Sequence, residues 1–211
     1  MWDMTGGLEG AMTLRLHADA EPRPPVEVSD EALVERLRGG DAGAGETLCR
    51  RHHEPLMRYL QRLVGAHVAE ELYQQTWLSV LDHIDRFNPA TSGPGGTKAG
   101  AFKAWLFRIA TNKANDHWRS SGRERAGREG LRLVGENLAP DAGHRMEAAE
   151  AESKLQRALE QLPENQRQVL LLRYYSELKF VEIAELLGCP LNTALGRMHK
   201  AMLKLKELMA E

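Results

Sequence analysis

Hydrophobic residues near the C-terminus recur at the spacing of two short helices. In the first helix they fall three or four positions apart, at Phe180, Ile183, Ala184 and Leu187. Gly188 then ends this helix, because glycine adopts a positive φ angle without steric cost. A second amphipathic stretch runs from Leu191 to Leu208. Two helices joined by a tight glycine turn are the layout of a helix-turn-helix that reads DNA.

The second of these helices has a packed side and a polar side. At ~100° per residue, one side collects Ala194, Met198, Ala201, Leu205 and Leu208. The opposite side collects Asn192, Gly196, His199, Lys200 and Leu203, with Thr193, Arg197 and Lys204 on one flank. From Asn192 to Lys206 the net charge is +4, with no acid. Such a face suits the major groove of DNA, although an ordinary solvated basic face has the same composition.

Helical periodicity also predicts helices in the N-terminal half of the chain. Ser29 followed by Asp30 and Glu31 marks a helix start, with a capping hydroxyl and acids in the first turn. Helical spacing continues through Ala32, Leu33, Leu37, Leu48, Leu56, Tyr59, Leu60 and Leu63. A long helix is expected from Val68 to Phe87, with Leu72, Thr76, Leu78, Ser79, Val80 and Ile84 on or near its buried side. Another is expected from Phe102 to about Arg119.

Polar, glycine-rich segments separate the predicted helices. They predict a disordered extension over residues 1–26, a loop over 88–100 and a flexible linker over 120–149. Pro163 followed by Glu164 marks a further helix start beyond the linker. The sequence therefore predicts an all-α fold with two small helical domains, 27–119 and 150–211. The second domain contains the helix-turn-helix.

The charge pattern points to two kinds of partner. The 211 residues suit one or two domains, and the net charge of −2 argues against a generally basic DNA coat. Yet residues 113–132 carry +3 and residues 136–164 carry −4. Such alternation suits a protein that meets both DNA and a protein partner.

Cysteine usage and hydropathy indicate the compartment. Cys49 and Cys189 lie far apart, which implies no disulfide framework and fits a reducing environment. The sequence has no apolar run of the ~18 residues that span a bilayer, and its N-terminus lacks the features of a signal peptide. We therefore expect a cytoplasmic protein without membrane insertion.

Four ordered motifs lie on the predicted helices. Residues 69–77 (AEELYQQTW) are similar to A-E-D-L-x-Q-E-T-F, and residues 102–112 (FKAWLFRIATN) to F-x-x-W-L-x-R-I-A-x-N, continued by DHWR at 116–119. Residues 162–167 (LPENQR) are similar to L-P-x-x-x-R. Residues 182–184 and 192–201 resemble E-I-A and G-T-V-K-S-R-L-H-R-A. In these motifs the chain resembles the extracytoplasmic-function (ECF) group of bacterial sigma-70-type sigma factors.

The resemblance implies a function for each domain. Residues 27–119 would be sigma region 2, which binds polymerase and recognises and melts the −10 element. Residues 150–211 would be sigma region 4, which recognises the −35 element. The implied protein is not an enzyme and needs no cofactor or metal: it binds core RNA polymerase and directs promoter-specific initiation. Its implied partners are the β′ and β subunits of core polymerase, promoter DNA and an anti-sigma factor.

The resemblance also implies three sets of site residues. Contacts to the β′ coiled coil would come from Glu70, Glu71, Leu72, Gln74 and Gln75. Contacts to −10 DNA would come from Asn112, Lys113, Asp116 and Arg119, with a pocket for a flipped base somewhere in 88–101. Contacts to −35 DNA would come from Asn192, Thr193, Gly196, Arg197, His199 and Lys200. Trp105 falls near the apolar stripe, so we expect it in the core rather than under a base.

Four positions depart from the family pattern. Glu71 stands in place of the usual Asp and Gln75 in place of the usual Glu, which softens the acidic character of the polymerase-binding surface. Leu195 stands where the family usually has Lys, and Gly196 where it often has Ser. Leu195 therefore either touches a thymine methyl group or packs inward.

Two other classes of protein fit parts of the sequence. One is a two-domain helix-turn-helix regulator that binds DNA without being a polymerase subunit, but a sensor domain has no reason to carry both motifs in 68–119. The other is a metal protein or enzyme using Cys49, His52, His53 and His67. No second pair of ligands follows at a typical zinc spacing, and no phosphate loop, nucleophile elbow or paired carboxylate site stands out.

Overall fold

The computed structural model describes residues 28–92, 100–127 and 144–210. Every regular element in these ranges is helical. The elements are α1 (Asp30–Arg38), α2 (Ala42–Val64), α3 (Ala66–His83), a 3₁₀ turn (Ile84–Arg86), α4 (Pro89–Ser92), α5 (Ala101–Gly127), α6 (His144–Glu160), α7 (Glu164–Leu171), a π-helical turn (Leu172–Ser176), α8 (Phe180–Leu186) and α9 (Leu191–Ala210).

The N-terminal domain packs α1, α2, α3 and α5 around one core. The predicted periodicity is confirmed, since the apolar positions of α2 are buried at Leu48, Leu56, Tyr59, Leu60 and Leu63. From α5, Phe102, Leu106 and Phe107 enter the same core. The Tyr59 hydroxyl would be costly to bury alone, and its hydrogen bond to Thr111 Oγ1 at 2.8 Å satisfies it.

A partly buried charge cluster joins α1 to α2. The Ser29 hydroxyl accepts a hydrogen bond from the Ala32 amide at 3.3 Å, which confirms the predicted cap. Asp30 follows and binds Arg51 at 2.5 Å and His52 Nε2 at 2.7 Å. Burial opposes ionisation of Asp30, but the hydrogen bonds and charges of His52 and Arg51 outweigh it and hold the pKa of this carboxyl below its ordinary value.

Asp30→Asn should lower the free energy of unfolding by about 1–3 kcal/mol at neutral pH, because it removes the charged acceptor that buried His52 and half-buried Arg51 share. A carboxyl with a lowered folded-state pKa stabilises above its unfolded pKa of ~3.9 and loses that contribution as pH falls through the folded value. The difference between variant and wild type should therefore shrink in acid. Urea unfolding at two pH values measures it. The matched control is Glu46→Gln, because the Glu46–Arg50 pair is exposed and should contribute under ~1 kcal/mol.

The C-terminal domain is built from α6 to α9. Pro163 directly precedes α7, which confirms the predicted helix start there. The core of this domain contains Leu159, Val169, Leu172, Ile183 and Ala201. Glu177, after the π-helical turn, has a left-handed φ of 57° and begins the connection to α8.

The two domains are in contact. The Gln168 side-chain amide donates to Asn115 Oδ1 at 2.6 Å, and Lys103 lies 3.4 Å from Glu177. The Arg167 guanidinium carbon lies 5.5 Å from the centroid of the Trp118 ring. Arg62 of α2 also binds Glu152 and Gln156 of α6. These contacts join α2 and α5 to the C-terminal helices in one compact arrangement.

Several predicted boundaries differ from those of the structure. The helix expected over Val68–Phe87 is α3 followed by the 3₁₀ turn, and the loop expected over 88–100 begins with α4. α5 continues past Arg119 to Gly127 and α6 begins at His144, so both ends of the predicted linker 120–149 are helical. The middle of that linker, the extension 1–26 and most of the predicted loop lie outside the described residues.

Candidate nucleic-acid and polymerase interfaces

The turn between α8 and α9 has the geometry expected of a helix-turn-helix. Gly188 adopts a φ of 61°, the left-handed conformation that glycine accepts without strain. The Cys189 amide donates back to the Ala184 carbonyl at 2.9 Å, which satisfies the end of α8. The Pro190 carbonyl then accepts from Thr193 at 2.9 Å and Ala194 at 3.1 Å, so α9 starts at once.

The two faces of α9 are arranged as predicted. Ala194 and Ala201 are buried, and Met198, Leu205 and Leu208 are half-buried. The predicted −35 set lies together on the other side, where Asn192, Thr193, Gly196, His199 and Lys200 are exposed and Arg197 is half-buried. Lys204 pairs with Glu207 at 3.1 Å. Within the described ranges, Arg197 and Lys200 have no acidic partner, so their charge is available to a phosphate or a base.

The predicted −10 residues share the second half of α5. Asn112, Asp116 and Arg119 are exposed there, and Lys113 is half-buried. Asp116 pairs with Arg119 at 3.2 Å, so this surface carries less free positive charge than α9. Trp105 is buried among Phe87 and Phe102, which confirms that it belongs to the core. Asn115 and Trp118 of the same helix instead contact the C-terminal domain.

The predicted polymerase contacts lie along α3. Glu70, Glu71 and Gln74 are exposed, and Gln75 is half-buried. Gln75 donates to Glu71 at 2.9 Å, and Gln74 donates to Glu70 at 3.3 Å. The prediction that Leu72 contacts polymerase is wrong, because Leu72 is only 3% exposed and packs in the core. It supports the surface from below instead of contacting a partner.

Leu78 and Leu81 are exposed members of α3 that the sequence analysis missed. Leu78 was expected on or near the buried side, but it is 61% exposed, and Leu81 is 51% exposed. Leu78 lies two residues, about 200° around the helix, from both buried Thr76 and buried Val80. This angular position is the sequence signal that places Leu78 on the side of α3 opposite the core. Together with Glu71 and Gln75 it forms a mixed polar and apolar surface suited to a protein partner.

A groove of about 1070 Å³ lies between α2 and the C-terminal domain. Its α2 side carries Arg58, Gln61 and Arg62. Its other side includes the charged residues Glu152, Arg173 and Glu177 and a group of apolar and aromatic residues: Leu155, Leu159, Tyr174, Met198, Met202 and Leu205. Tyr174 is 76% exposed, so a large aromatic surface is open to a partner.

Two residues of the alternative metal site, His52 and His53, have other partners. His52 binds Asp30, and His53 Nδ1 lies 3.0 Å from the Tyr73 hydroxyl. Cys49 is half-buried, and burial raises the pKa of its thiol, which disfavours the thiolate that binds metals. Among the described residues, no three His, Cys, Asp or Glu side chains are grouped as metal ligands. None of the described helices is long and apolar enough to cross a membrane.

Comparisons with known proteins match each of the two domains to a family model. Residues 48–124 match the family model for sigma-70 region 2, and residues 152–205 match the model for sigma-70 region 4. The ECF RNA polymerase sigma factor SigW of Bacillus subtilis is 26% identical over 186 residues, covering 83% of this chain and 94% of its own. The ECF RNA polymerase sigma-E factor of Haemophilus influenzae is 27% identical over 185 residues, covering 83% and 92%.

Two solved structures share the fold. CnrH, solved in complex with the cytosolic domain of CnrY, has a TM-score of 0.62 at 23% identity and covers 86% of this chain and 97% of its own. The sigma factor RpoE, solved with the anti-sigma factor NepR from Bartonella quintana, has a TM-score of 0.64 at 23% identity and covers 78% and 96%.

A cationic helix-turn-helix joined to a second helical domain defines a two-domain DNA-binding protein. Both domains match sigma-70 regions, in the order of the motifs and over more than half of the chain. The chain belongs to the ECF sigma factors of the bacterial sigma-70 family.

Proposed function

We propose that this chain binds core RNA polymerase and gives it promoter specificity, acting in the cytoplasm and catalysing no reaction of its own. The observation that carries the proposal is the pairing of a cationic recognition helix, α9, with the mixed polar and apolar surface of α3 on one chain. A regulator that acts without polymerase would need the first surface but not the second. Membership of the ECF family favours the polymerase subunit over that alternative.

The domain roles follow the family regions. We assign 27–119 to polymerase binding and to recognition and melting of the −10 element, with Asn112, Lys113, Asp116 and Arg119 facing DNA. We assign 150–211 to the −35 element, with the exposed residues of α9 in the major groove. Direct polymerase contacts are assigned to Glu70, Glu71, Gln74 and Gln75, with Leu78 added as an apolar contact.

An anti-sigma factor is the partner we assign to the groove between the domains. The apolar wall around Leu155, Met198 and Met202 suits the apolar face of a helix. On the opposite wall Arg62 is already paired with Glu152, so exposed Arg58, whose partner Glu54 lies in the same helix, is the cation that we assign to an acidic side chain of the incoming helix. A helix seated there would contact both domains and hold them together.

Transcription in vitro tests the proposed function. The full chain is added to core polymerase from the same organism with a library of promoter fragments. We expect stable binding to core polymerase in gel filtration, and initiation at a defined subset of fragments. Absence of both binding and initiation would contradict the proposal. DNA binding by the chain without polymerase, together with no initiation, would instead support the helix-turn-helix regulator.

Reversing the charge of the α3 surface should weaken polymerase binding. The double variant Glu71→Lys with Gln75→Lys places two cations where the partner is expected to meet a carboxylate and an amide. We expect an affinity for core polymerase about three- to tenfold lower, since charge mismatches at an interface cost more than single exposed ion pairs. Fluorescence titration with core polymerase measures the loss.

The control for this variant is Glu46→Lys on α2, where the exposed carboxylate belongs to no predicted interface. The circular dichroism spectra of both variants should match that of the wild type, because the altered side chains lie outside the core. Unchanged affinity of the double variant, with an unchanged spectrum, would place the polymerase contact elsewhere.

A further inference from the structure

Two leucines are exposed on the first two turns of α9, beside the polar residues assigned to DNA. Leu191 is 40% exposed and Leu195 is 41% exposed. They are four residues apart, so they lie on neighbouring turns of one side of the helix. The N-terminal residues of a recognition helix are the ones that contact base edges. An apolar side chain at this place is therefore within reach of base edges.

The interdomain groove does not account for Leu195. On α9, that groove is lined by Met198, Met202 and Leu205, which begin one turn further along the helix. Inward packing is also excluded as the role of Leu195, because 41% of the residue is open to solvent while neighbouring Ala194 is buried. Leu195 lies between the buried side of α9 and its DNA-facing side.

Gly196 supports a close approach at this point. Glycine inside a helix costs roughly 0.5–1 kcal/mol relative to alanine, so it needs a reason. Packing provides none, since a Cβ atom at Gly196 would have nothing within 4 Å. The missing side chain lowers the helix surface next to Leu195, which allows the backbone and the leucine to come nearer to a base edge.

We propose that Leu195, supported by Leu191, reads the C5-methyl group of a thymine in the −35 element. Thymine is the base that presents a methyl group in the major groove, and apolar side chains recognise it by contact. The inference rests on the proposed function of α9 and names the base feature that this helix distinguishes. Arg197 and Lys200 would hold the helix on the phosphates or on guanine while Leu195 selects thymine.

Deoxyuridine substitution tests the proposal without altering the protein. A promoter is first selected with the complete holoenzyme from a library randomised in the −35 element; failure at this step contradicts the proposed function itself. Each thymine of the selected element is then replaced by deoxyuridine, which removes only the methyl group. Holoenzyme affinity for each duplex is measured with wild type, Leu195→Ala and Met209→Ala.

We expect one thymine at which deoxyuridine lowers wild-type affinity about fourfold, the factor that corresponds to ~0.8 kcal/mol for one buried carbon. Leu195→Ala should bind the thymine duplex more weakly and should respond less than twofold to deoxyuridine. Met209→Ala is the matched control: Met209 is an exposed apolar residue of α9 about 21 Å from Leu195 along the helix, and its variant should keep the fourfold response.

Two results would overturn the proposal. One is a selected −35 element with no thymine whose methyl group matters to the wild-type holoenzyme. The other is a deoxyuridine response that persists in Leu195→Ala, which would assign the methyl contact to another side chain. In either case promoter-specific initiation by the wild type would still support the proposed function.

Discussion

Holding the two domains together by a covalent cross-link should abolish nearly all promoter-specific initiation. The two promoter elements lie more than two helical turns apart, which is ~70 Å at ~34–36 Å per turn. The structure instead brings α5 and α7 into contact, with Gln168 hydrogen-bonded to Asn115 at 2.6 Å. Asn115 and Trp118 are covered on the helix that we assign to the −10 element. The domains must therefore separate before both elements can be bound.

Half-buried Lys103 and exposed Glu177 offer the site for this cross-link. Their charged atoms are 3.4 Å apart across the domain contact, and neither residue belongs to the surfaces assigned to DNA or polymerase. The variant carries Lys103→Cys and Glu177→Cys, with Cys49 and Cys189 replaced by serine. A short bismaleimide should block initiation. A cross-linker of the same length with an internal disulfide should block it until reductant is added.

Single-cysteine variants treated with the same reagent are the control, and they should initiate like the untreated protein. Full initiation by the cross-linked double variant would show that the contacting arrangement can itself bind the promoter. That result would contradict the requirement for domain separation but would leave the assignment of α9 in place.

Arg197→Ala should lower initiation at the selected promoter by roughly tenfold or more. Arg197 is half-buried on the flank of α9, and no acid in the described residues neutralises it. A bidentate contact from arginine to guanine provides ~1–3 kcal/mol of discrimination, whereas a phosphate contact weakens all sequences alike. We therefore expect Arg197→Ala to relax the preference for one base pair as well as to reduce initiation.

Two lysine variants of α9 test whether the loss of initiation is specific to the position of Arg197. Lys200 is fully on the exposed side, so Lys200→Ala should cost less and should affect all promoters similarly. Lys206→Ala removes an exposed charge near the end of α9 and should change initiation less than about twofold. The three variants and the wild type are compared by their initiation rates on the selected promoter and on its point variants. Wild-type behaviour of Arg197→Ala would mean that α9 meets DNA in a different orientation.

Local periodicity was sufficient to predict α8, its glycine turn and both faces of α9. Each of these depends on residues within two turns of one another, as Gly188 and the buried pair Ala194 and Ala201 illustrate. The same holds for the cap at Ser29 and the core positions of α2. For such elements the sequence signal and the structural cause are the same local interaction.

The domain contact could not be predicted in the same way. The hydrogen bond between Asn115 and Gln168 joins residues 53 positions apart, and the pair Lys103 and Glu177 joins residues 74 positions apart. Neither pair leaves a periodic signal, because their positions follow from how two finished domains meet. Leu78 is a different case, because its position around α3 places it on the exposed side although its side chain is apolar.

The amide at Gln75 has a consequence for how this sigma factor responds to its ionic surroundings. Gln75 donates a hydrogen bond to Glu71, so two neighbouring positions of the polymerase surface present one carboxylate. At physiological ionic strength, salt screens the Coulombic attraction between exposed groups over a distance of ~8 Å. The free energy gained by burying apolar groups such as Leu78 is not screened in this way. We therefore expect the share of polymerase that this protein captures to fall less, when a cell accumulates salt under osmotic stress, than it would with a carboxylate at position 75 as well.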